Sequence, residues 1–217
     1  MRIVVLMLLL GALDLVSGLA RAATLIEMSA GTEPLRLVID RPQQRVLIES
    51  AERHTWFDLN GGFVYHRAGN GPAIRAHARY RPGHDEPPPY RIERFGPGPI
   101  VAGQVSTYEV LFVEDRICAE TMQSEWMLPF LDPAIRAIAV IQGTLGVEPA
   151  DPCARIPFAT YAAGGWPLIA GKSDRPTLVT KVIAFDYAAT PEELMPPQGS
   201  VEVPLEQLRD TLGGYGF

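Results

Sequence analysis

The stretch HTWFDLNGGFVYHR, residues 54–67, predicts the fold more directly than any other part of the sequence. Asn60-Gly61 lies between two runs rich in aromatic and β-branched residues. This pair is favoured in two-residue type I′ turns, because both turn positions need a positive φ. We therefore expect a β-hairpin whose cross-strand pairs are Leu59 with Gly62, Phe57 with Val64, and Trp56 with Tyr65.

Both faces of this hairpin carry large apolar groups. Side chains alternate between faces along a strand, so one face carries Thr55, Phe57, Leu59, Val64 and His66. The other face carries His54, Trp56, Asp58, Phe63, Tyr65 and Arg67. A sheet with one face in water would show one polar set. We expect that other elements cover both sides, or that one side lines a cavity.

Further strands are predicted on both sides of the hairpin, between turns rich in Gly, Pro and charged residues. Glu114-Asp115 is expected to turn the longest pattern, and the proline-rich loop 81–89 is expected to be exposed. The predicted strands are Thr24–Met28, Leu35–Ile39, Arg45–Glu49, Ala73–Tyr80, Pro89–Phe95, a long pattern within Val101–Cys118, and Thr177–Tyr187.

Three helical segments are predicted. Asp132 is a suitable N-cap, Pro133 suits the first helical position, and an apolar helix is expected to stop at Gly143. Thr190-Pro191-Glu192-Glu193 has the pattern of a capping box that starts one helical turn. Pro204–Leu212 is expected to form a short helix. The helix over 133–142 is apolar nearly all round, which indicates that it is buried or lies across an apolar concavity.

Residues 1–22 have the pattern of a cleavable signal peptide. Arg2 precedes an apolar run, Ile3–Leu13, that is too short to span a bilayer, and Ala20-Arg21-Ala22 favours cleavage before Ala23. A buried helix or a membrane anchor is the alternative. No cysteine follows the run to carry a lipid, so we expect a soluble periplasmic protein with a single domain over residues 23–217.

Charge and cysteine content restrict the partners and the compartment. The net charge of −6, without basic clusters, gives no electrostatic surface for nucleic acid or for an anionic membrane. Cys118 and Cys153 are the two cysteines of the chain. In an oxidising compartment such a pair is most simply a structural disulfide, and a metal or redox pair, which more often has a C-x-x-C spacing, is the alternative.

The order of elements resembles that of the LolA-like periplasmic carriers of lipoproteins and lipids. The similar segments are AGQVSTYEVL (102–111), GWPLIAGKSDRPTLVTKVIAFDY (165–187) and TPEELMPPQG (190–199). The resemblance implies a mainly β, α+β fold: a curved antiparallel sheet or half-barrel with a few covering helices. It also implies that the concave apolar face binds acyl chains. The pair Cys118 and Cys153 departs from the family pattern.

No pattern indicates catalysis or a metal site. His66 and His77 are placed to face each other on adjacent strands, but no metal-ligand spacing accompanies them, and His54 and His84 stand apart. Gly164-Gly165 is expected to be a turn, because no Lys-Ser/Thr pair follows to make a phosphate loop. Glu114, Asp115 and Glu120 have no partner that strand spacing brings near. We expect no enzyme, no metal and no cofactor.

The sequence therefore favours a binding protein. The candidate ligand surface is apolar: Trp56, Phe57, Val64, Tyr65, Phe112, Ile135 and Ile138, with core packing as the alternative role of each. The expected function is a periplasmic carrier for a lipid, an acyl chain or another apolar ligand, driven by apolar burial. The alternative is a periplasmic protein-interaction or assembly factor whose concavity is filled by its own side chains.

Overall fold

A computed structural model describes residues 21–78, 88–145, 152–172 and 175–212. Residues 1–20 of the predicted signal peptide, the last two residues of the strand predicted over Ala73–Tyr80, and most of the loop 81–89 lie outside the described residues. The predicted cleavage point after Ala22 falls just inside the first strand, which begins at Arg21.

Twelve strands join in one sheet in the described part of the chain. They are β1 (Arg21–Ala30), β2 (Glu33–Asp40), β3 (Arg45–Glu49), β4 (Arg53–Asp58), β5 (Phe63–Ala68), β6 (Ile74–His77), β7 (Tyr90–Pro97), β8 (Thr107–Val113), β9 (Arg116–Ser124), β10 (Trp166–Lys172), β11 (Arg175–Ala189) and β12 (Val201–Glu202). The helices are α1 (Leu128–Leu145), α2 (Phe158–Tyr161), α3 (Pro191–Leu194) and α4 (Leu205–Leu212), and 3-10 turns cover Glu125–Met127 and Pro152–Arg155.

The sheet is open. Its strand order is β12-β6-β5-β4-β3-β2-β1-β11-β10-β9-β8-β7. Neighbouring strands are antiparallel except β12, which runs parallel to β6. The N-terminal strand β1 thus lies in the middle, between β2 and β11. The prediction of a mainly β fold with an antiparallel sheet and a few helices is confirmed.

The hairpin of β4 and β5 has the predicted register but a different turn. Phe57 pairs with Val64 and Trp56 with Tyr65. The type I′ prediction is wrong, because the residue with positive φ is Gly62, at 71°, and not Asn60 or Gly61. The cause is Asp58: its carbonyl accepts from the Gly62 N–H at 2.8 Å, and its side-chain Oδ1 accepts from the Gly61 N–H at 3.0 Å. A four-residue loop thus replaces the two-residue turn without changing the register.

Both faces of the β4–β5 hairpin are covered, which is one of the two alternatives that its pattern left open. On the face beneath α1, here called the helix face, alternate residues of β1 to β6 form a large cluster that includes Phe57 and Val64. On the opposite face, Trp56 belongs to a smaller cluster with Val38 and Leu47, which Leu194 of α3 covers.

Helix α1 begins before the predicted N-cap. The 3-10 turn at Glu125–Met127 leads directly into it, so the prediction that Asp132 starts the helix is wrong. Met127 and Leu131 are completely buried, which shows that packing on the sheet sets the start. Pro133 is tolerated because the carbonyl that loses its partner, at position 129, belongs to an exposed residue. The helix also continues through Gly143, where a stop was predicted.

Three further local predictions are confirmed. Glu114, with φ of 54°, makes the turn between β8 and β9. Thr190 forms both hydrogen bonds of the capping box at the start of α3. Cys118 and Cys153 are bonded, with Cα atoms 5.1 Å apart, so the predicted disulfide is confirmed. No helix in the described ranges combines the length and the hydrophobicity that crossing a membrane requires.

Gly165 provides a test of how the chain enters β10. The predicted turn is present, since the Gly165 N–H donates to the Ala162 carbonyl at 3.2 Å. Gly165 has φ of 154°, and a Cβ there would lie 2.7 Å from backbone atoms of Ser124 and Glu125. We expect Gly165→Ala to lower the free energy of unfolding by about 2 kcal/mol or more.

Gly143→Ala is the matched control. It lies in α1, and a Cβ there would meet no atom within 4 Å. We expect this substitution to be neutral or stabilising by up to about 1 kcal/mol, since alanine has the higher helix propensity. Urea unfolding of both variants measures the difference, and equal stabilities would contradict the proposed backbone contact.

Candidate functional site

The structure brings four of the seven predicted ligand residues together in one core and places the other three elsewhere. Phe57, Val64 and Ile138 lie in the core beneath α1, and Ile135 packs at the edge of that core. The other predicted residues lie elsewhere: Trp56 and Tyr65 are on the opposite face, and Phe112 lies on β8 beneath the Arg91 guanidinium, 4.3 Å from its ring centre.

Helix α1 lies directly on the sheet. The side of the helix that faces the strands has no accessible surface at Leu131, Ala134, Ala137, Ile138 and Ile141. A cavity that holds a water molecule leaves accessible surface on its walls, because a water needs room of about one probe sphere. The described residues beneath α1 therefore form a packed core, and the sheet face is filled by the protein's own side chains.

A partly exposed aromatic cluster lies at the N-terminal end of α1. It consists of Trp126 from the 3-10 turn, Phe130 from α1 and Phe185 from β11, and we call it the aromatic rim. The three ring centres lie 5.2–5.9 Å apart, in edge-to-face or tilted arrangements. Trp126 is 49% exposed. Trp126 thus leaves half of a large apolar side chain in water, and burial of an aromatic ring against a partner is favourable.

A cation borders the aromatic rim. The Arg41 guanidinium lies over the Phe130 ring, 5.6 Å from its centre, and has no carboxylate within ion-pair distance among the described residues. The nearby Arg136 is engaged, since it donates to Gln44 at 2.8 Å and lies 3.9 Å from Asp132. The rim thus combines apolar ring faces with one guanidinium that forms no ion pair among the described residues.

Sequence reasoning missed the aromatic rim. Its residues come from three segments, and Trp126 and Phe130 precede the position at which the helix was predicted to start. Because the helix begins earlier than predicted, the sequence analysis did not place these two residues on a helix. One signal was available: the pair lies four residues apart, a spacing that places side chains on one helical face.

On the opposite face, hydrogen bonds and ion pairs of Arg36 hold α3 against the sheet. Its Nη2 donates to Tyr187 at 2.6 Å and to Glu193 at 2.5 Å, while Nη1 pairs with Glu49. Tyr187 also donates to Glu193, at 2.9 Å. Burial alone would raise the pKa of Glu193, but hydrogen bonds from the Thr190 backbone, Arg36 and Tyr187 outweigh it and hold this pKa below its usual value.

Beneath α3 lies a narrow crevice, with about 180 Å³ of empty space that includes open solvent. Arg45, Trp56 and Glu193 supply its polar groups, and apolar residues complete the lining. The Trp56 indole N–H and the Arg45 Nε–H are buried without a hydrogen-bond partner. The crevice is too small for an acyl chain in this conformation.

Glu109 is a buried carboxylate on β8. Arg94 donates to its Oε1 through Nε at 2.7 Å. Its Oε2 and the Oε1 of Gln123 lie against Gly164, where an added Cβ would be 2.7 Å from each oxygen. The Gly164 backbone thus packs closely against both oxygens, and a larger residue at this position would require one of them to move.

The histidines do not form a pair. His66 lies opposite Ile74, and His77 lies opposite Phe63 with ring centres 3.8 Å apart. His66 instead forms a hydrogen bond through Nδ1 with the buried Thr55, at 2.9 Å. Burial, followed by the charges of Arg53 and His54, lowers the pKa of His66 to about 4. Within the described ranges, no group of three His, Cys, Asp or Glu residues is placed to hold a metal ion.

Taken together, fold and site describe a mainly β protein with an open antiparallel sheet, a packed core and an exposed aromatic rim. No family model matches the sequence, and no curated protein matches it. Two solved structures of PNGF-II, in space groups P21 and C2, are similar over 90% and 89% of this chain, with TM-scores of 0.47 and 0.46 and identities of 8% and 10%. The chain spans about a third of their length, 34% and 33%. At these values the similarity says nothing further about this chain.

His66 should make stability depend on pH. Its folded pKa of about 4 lies below the ordinary 6.5, so the unfolded chain binds the proton more readily. We expect the free energy of unfolding to fall as the pH drops from 6.5 to 4, by up to about 3 kcal/mol. Urea unfolding over this range should show that His66→Asn reduces the slope and that His77→Asn, at an exposed position, leaves it unchanged. An unchanged slope in His66→Asn would contradict the assignment.

Glu193 should stabilise the protein only while it is ionised. We expect Glu193→Gln to cost about 1 kcal/mol at neutral pH, a modest value because its ion pairs lie near solvent. The folded pKa is depressed, so the contribution is present above the unfolded pKa and is lost as the pH falls through the folded one. Glu192→Gln, at the exposed neighbouring position, is the control. Denaturant unfolding at neutral and acidic pH should show a difference that disappears in acid.

Proposed function

We propose that this chain is an exported, non-catalytic interaction protein that docks a partner protein through the aromatic rim. The observation that carries the proposal is the contrast between the two apolar surfaces at α1. The side facing the sheet is completely buried, whereas Trp126 at its N-terminal end is 49% exposed and packed against two further rings. The periplasmic interaction factor with a self-filled core is the function that this geometry supports best.

Export to the periplasm is part of the proposal. The signal-peptide pattern of residues 1–22 predicts it. The disulfide between Cys118 and Cys153 supports it, because such bonds persist in oxidising compartments and are rare in a reducing cytoplasm.

The rim also indicates the chemistry of the partner. Aromatic rings recognise an inserted aliphatic or aromatic side chain, since apolar anchors dominate binding energy at protein interfaces. Arg41 beside Phe130 adds a guanidinium that forms no ion pair among the described residues, and it favours a carboxylate next to that anchor. The proposed partner surface is therefore an apolar side chain flanked by an acidic residue.

Carriage of a lipid or acyl chain inside a LolA-like half-barrel stays a prediction. It would require α1 to leave the sheet, because Ile138 and Ile141 on its underside are fully buried in the present conformation. Titration with a fluorescent fatty acid distinguishes the two functions. Saturable uptake that survives Trp126→Ala would favour the carrier, and no uptake would favour the interaction protein.

Trp126→Ala should weaken partner binding without unfolding the protein. We expect at least a tenfold loss of affinity, because a central aromatic anchor contributes about 2 kcal/mol or more. The fold should remain, since half of the side chain is already in solvent. The measurement is capture from periplasmic extract, identification of the partner by mass spectrometry, and calorimetric titration of the purified partner.

Two further variants sharpen this test. Ile100→Ala removes an apolar side chain that is 74% exposed outside the rim, and it should bind like the wild type. Arg41→Gln should weaken binding in a salt-dependent manner. Equal affinities of the wild type and Trp126→Ala, or the capture of no partner at all, would refute docking through the rim.

A further inference from the structure

The outer edge of β7 has a feature that neither the core nor the aromatic rim uses. β7 ends the sheet on one side, and no described residue pairs with it beyond β8. The opposite edge, β12, has only two residues. The pairing of β7 with β8 is regular from Tyr90 to Arg94 and is interrupted by a bulge before Gly96, which has φ of 112°. The straight part of the edge is therefore the five residues Tyr90–Arg94.

The side chains of this segment are accessible. Arg91 and Glu93 are 50% and 42% exposed, and they form an ion pair with each other on one side of the strand. Tyr90, at the start of the segment, is 44% exposed. An edge strand of this kind presents unpaired backbone N–H and C=O groups to any strand that approaches it.

Geometry restricts how two copies of β7 can pair. In an antiparallel ladder, residues whose backbone groups point outward must face residues of the same kind, and such residues alternate along the strand. Two residues that face each other therefore differ by an even number of positions. The twofold axis between two identical strands must then pass through a residue and not between two residues. The three central choices are Arg91, Ile92 and Glu93.

Charge selects among these three registers. Centring on Arg91 places Arg91 against Arg91 of the second copy, and centring on Glu93 places two carboxylates together. Like charges directly opposite each other destabilise a sheet. Centring on Ile92 instead pairs Arg91 with Glu93 of the second copy, twice by symmetry. It also places Tyr90 against Arg94 of the second copy, whose guanidinium stays bonded to Glu109 of its own chain and adds no like-charge contact.

We propose that β7 pairs antiparallel with β7 of a second copy, in the register centred on Ile92, and so forms a dimer with twofold symmetry. The straight segment Tyr90–Arg94 is itself symmetric about Ile92, so the bulge ends the pairing on one side. Pro88 and Pro89 end it on the other, because they have no N–H to donate. A charged edge commonly prevents pairing, but the order Arg-Ile-Glu is self-complementary.

The dimer should be weak and dependent on concentration. A pairing of five residues buries less than the roughly 1,600 Å² of a standard stable interface. Sedimentation velocity of the disulfide-bonded protein, from about 10 to 500 μM, covers the range expected for so small an interface. We expect the wild type to change from monomer to dimer across this range.

Charge reversal tests the register. Arg91→Glu and Glu93→Arg should each be monomeric, because each places like charges opposite each other. An equimolar mixture of these two variants should form a heterodimer, because the acidic strand of one variant then lies opposite the basic strand of the other and both charge contacts are attractive. The double variant Arg91→Glu/Glu93→Arg should dimerise like the wild type.

The mixture separates this proposal from a folding defect. Both single variants lose the ion pair within the strand, so thermal unfolding checks that they remain folded, but a changed fold cannot restore dimers on mixing. Trp126→Ala should dimerise normally, because the rim is a separate surface. A wild type that stays monomeric at the highest concentration, single variants that still dimerise, or a mixture that stays monomeric would each overturn the proposal.

Discussion

The pairing of β1 with β11 is the constraint on which the rest of the structure depends. β1 to β6 are neighbours in the order of the sequence. β7 to β11 are also neighbours in order, and α1 lies in the connection between β9 and β10. These two halves become one sheet only where β1 and β11 pair, over a register that runs from Arg21–Ala189 to Ala30–Leu178. The pairing joins residues that lie far apart in the sequence, so forming it costs loop-closure entropy. The apolar burial of α1 against the sheet offsets this cost.

The position of α1 follows from this arrangement and decides where binding can occur. The strands β1 to β6 share a continuous apolar face, which must be buried against another element. The 18 residues of α1 cover this face. Because the cover is tight, no apolar surface beneath α1 is accessible among the described residues. The exposed large apolar side chains lie at the margins of the cover and of the sheet, and also within strands, as at Ile117 and Val182. The aromatic rim lies at one margin and the edge of β7 at another.

The sequence predicts what is local in this structure and fails where distant segments meet. The register of β4 and β5 follows from alternation alone, although the turn differs because the Asp58 side chain binds the loop backbone. The start of α1 is wrong because burial of Met127 outweighs the capping signal at Asp132. Trp56 and Phe57 are adjacent in sequence, and alternation places them on opposite faces, so they do not share one ligand surface. The strand order and the aromatic rim depend on contacts between segments far apart in the chain, which periodicity does not report.

Two smaller apolar clusters of the described chain are covered by short segments, in contrast to the aromatic rim. The cluster around Trp56 lies beneath Leu194, whose short helix is fastened by the ion pair between Arg36 and Glu193. The cluster around Leu111 includes Ile156, and the disulfide at Cys153 ties that segment to β9. Each of these short covering segments is thus held by a specific interaction, an ion pair in one case and a disulfide bond in the other. The described residues provide neither for Trp126, although Arg41 lies next to the rim and is available for an ion pair. This contrast with the two covered clusters supports the proposal that a partner covers the aromatic rim.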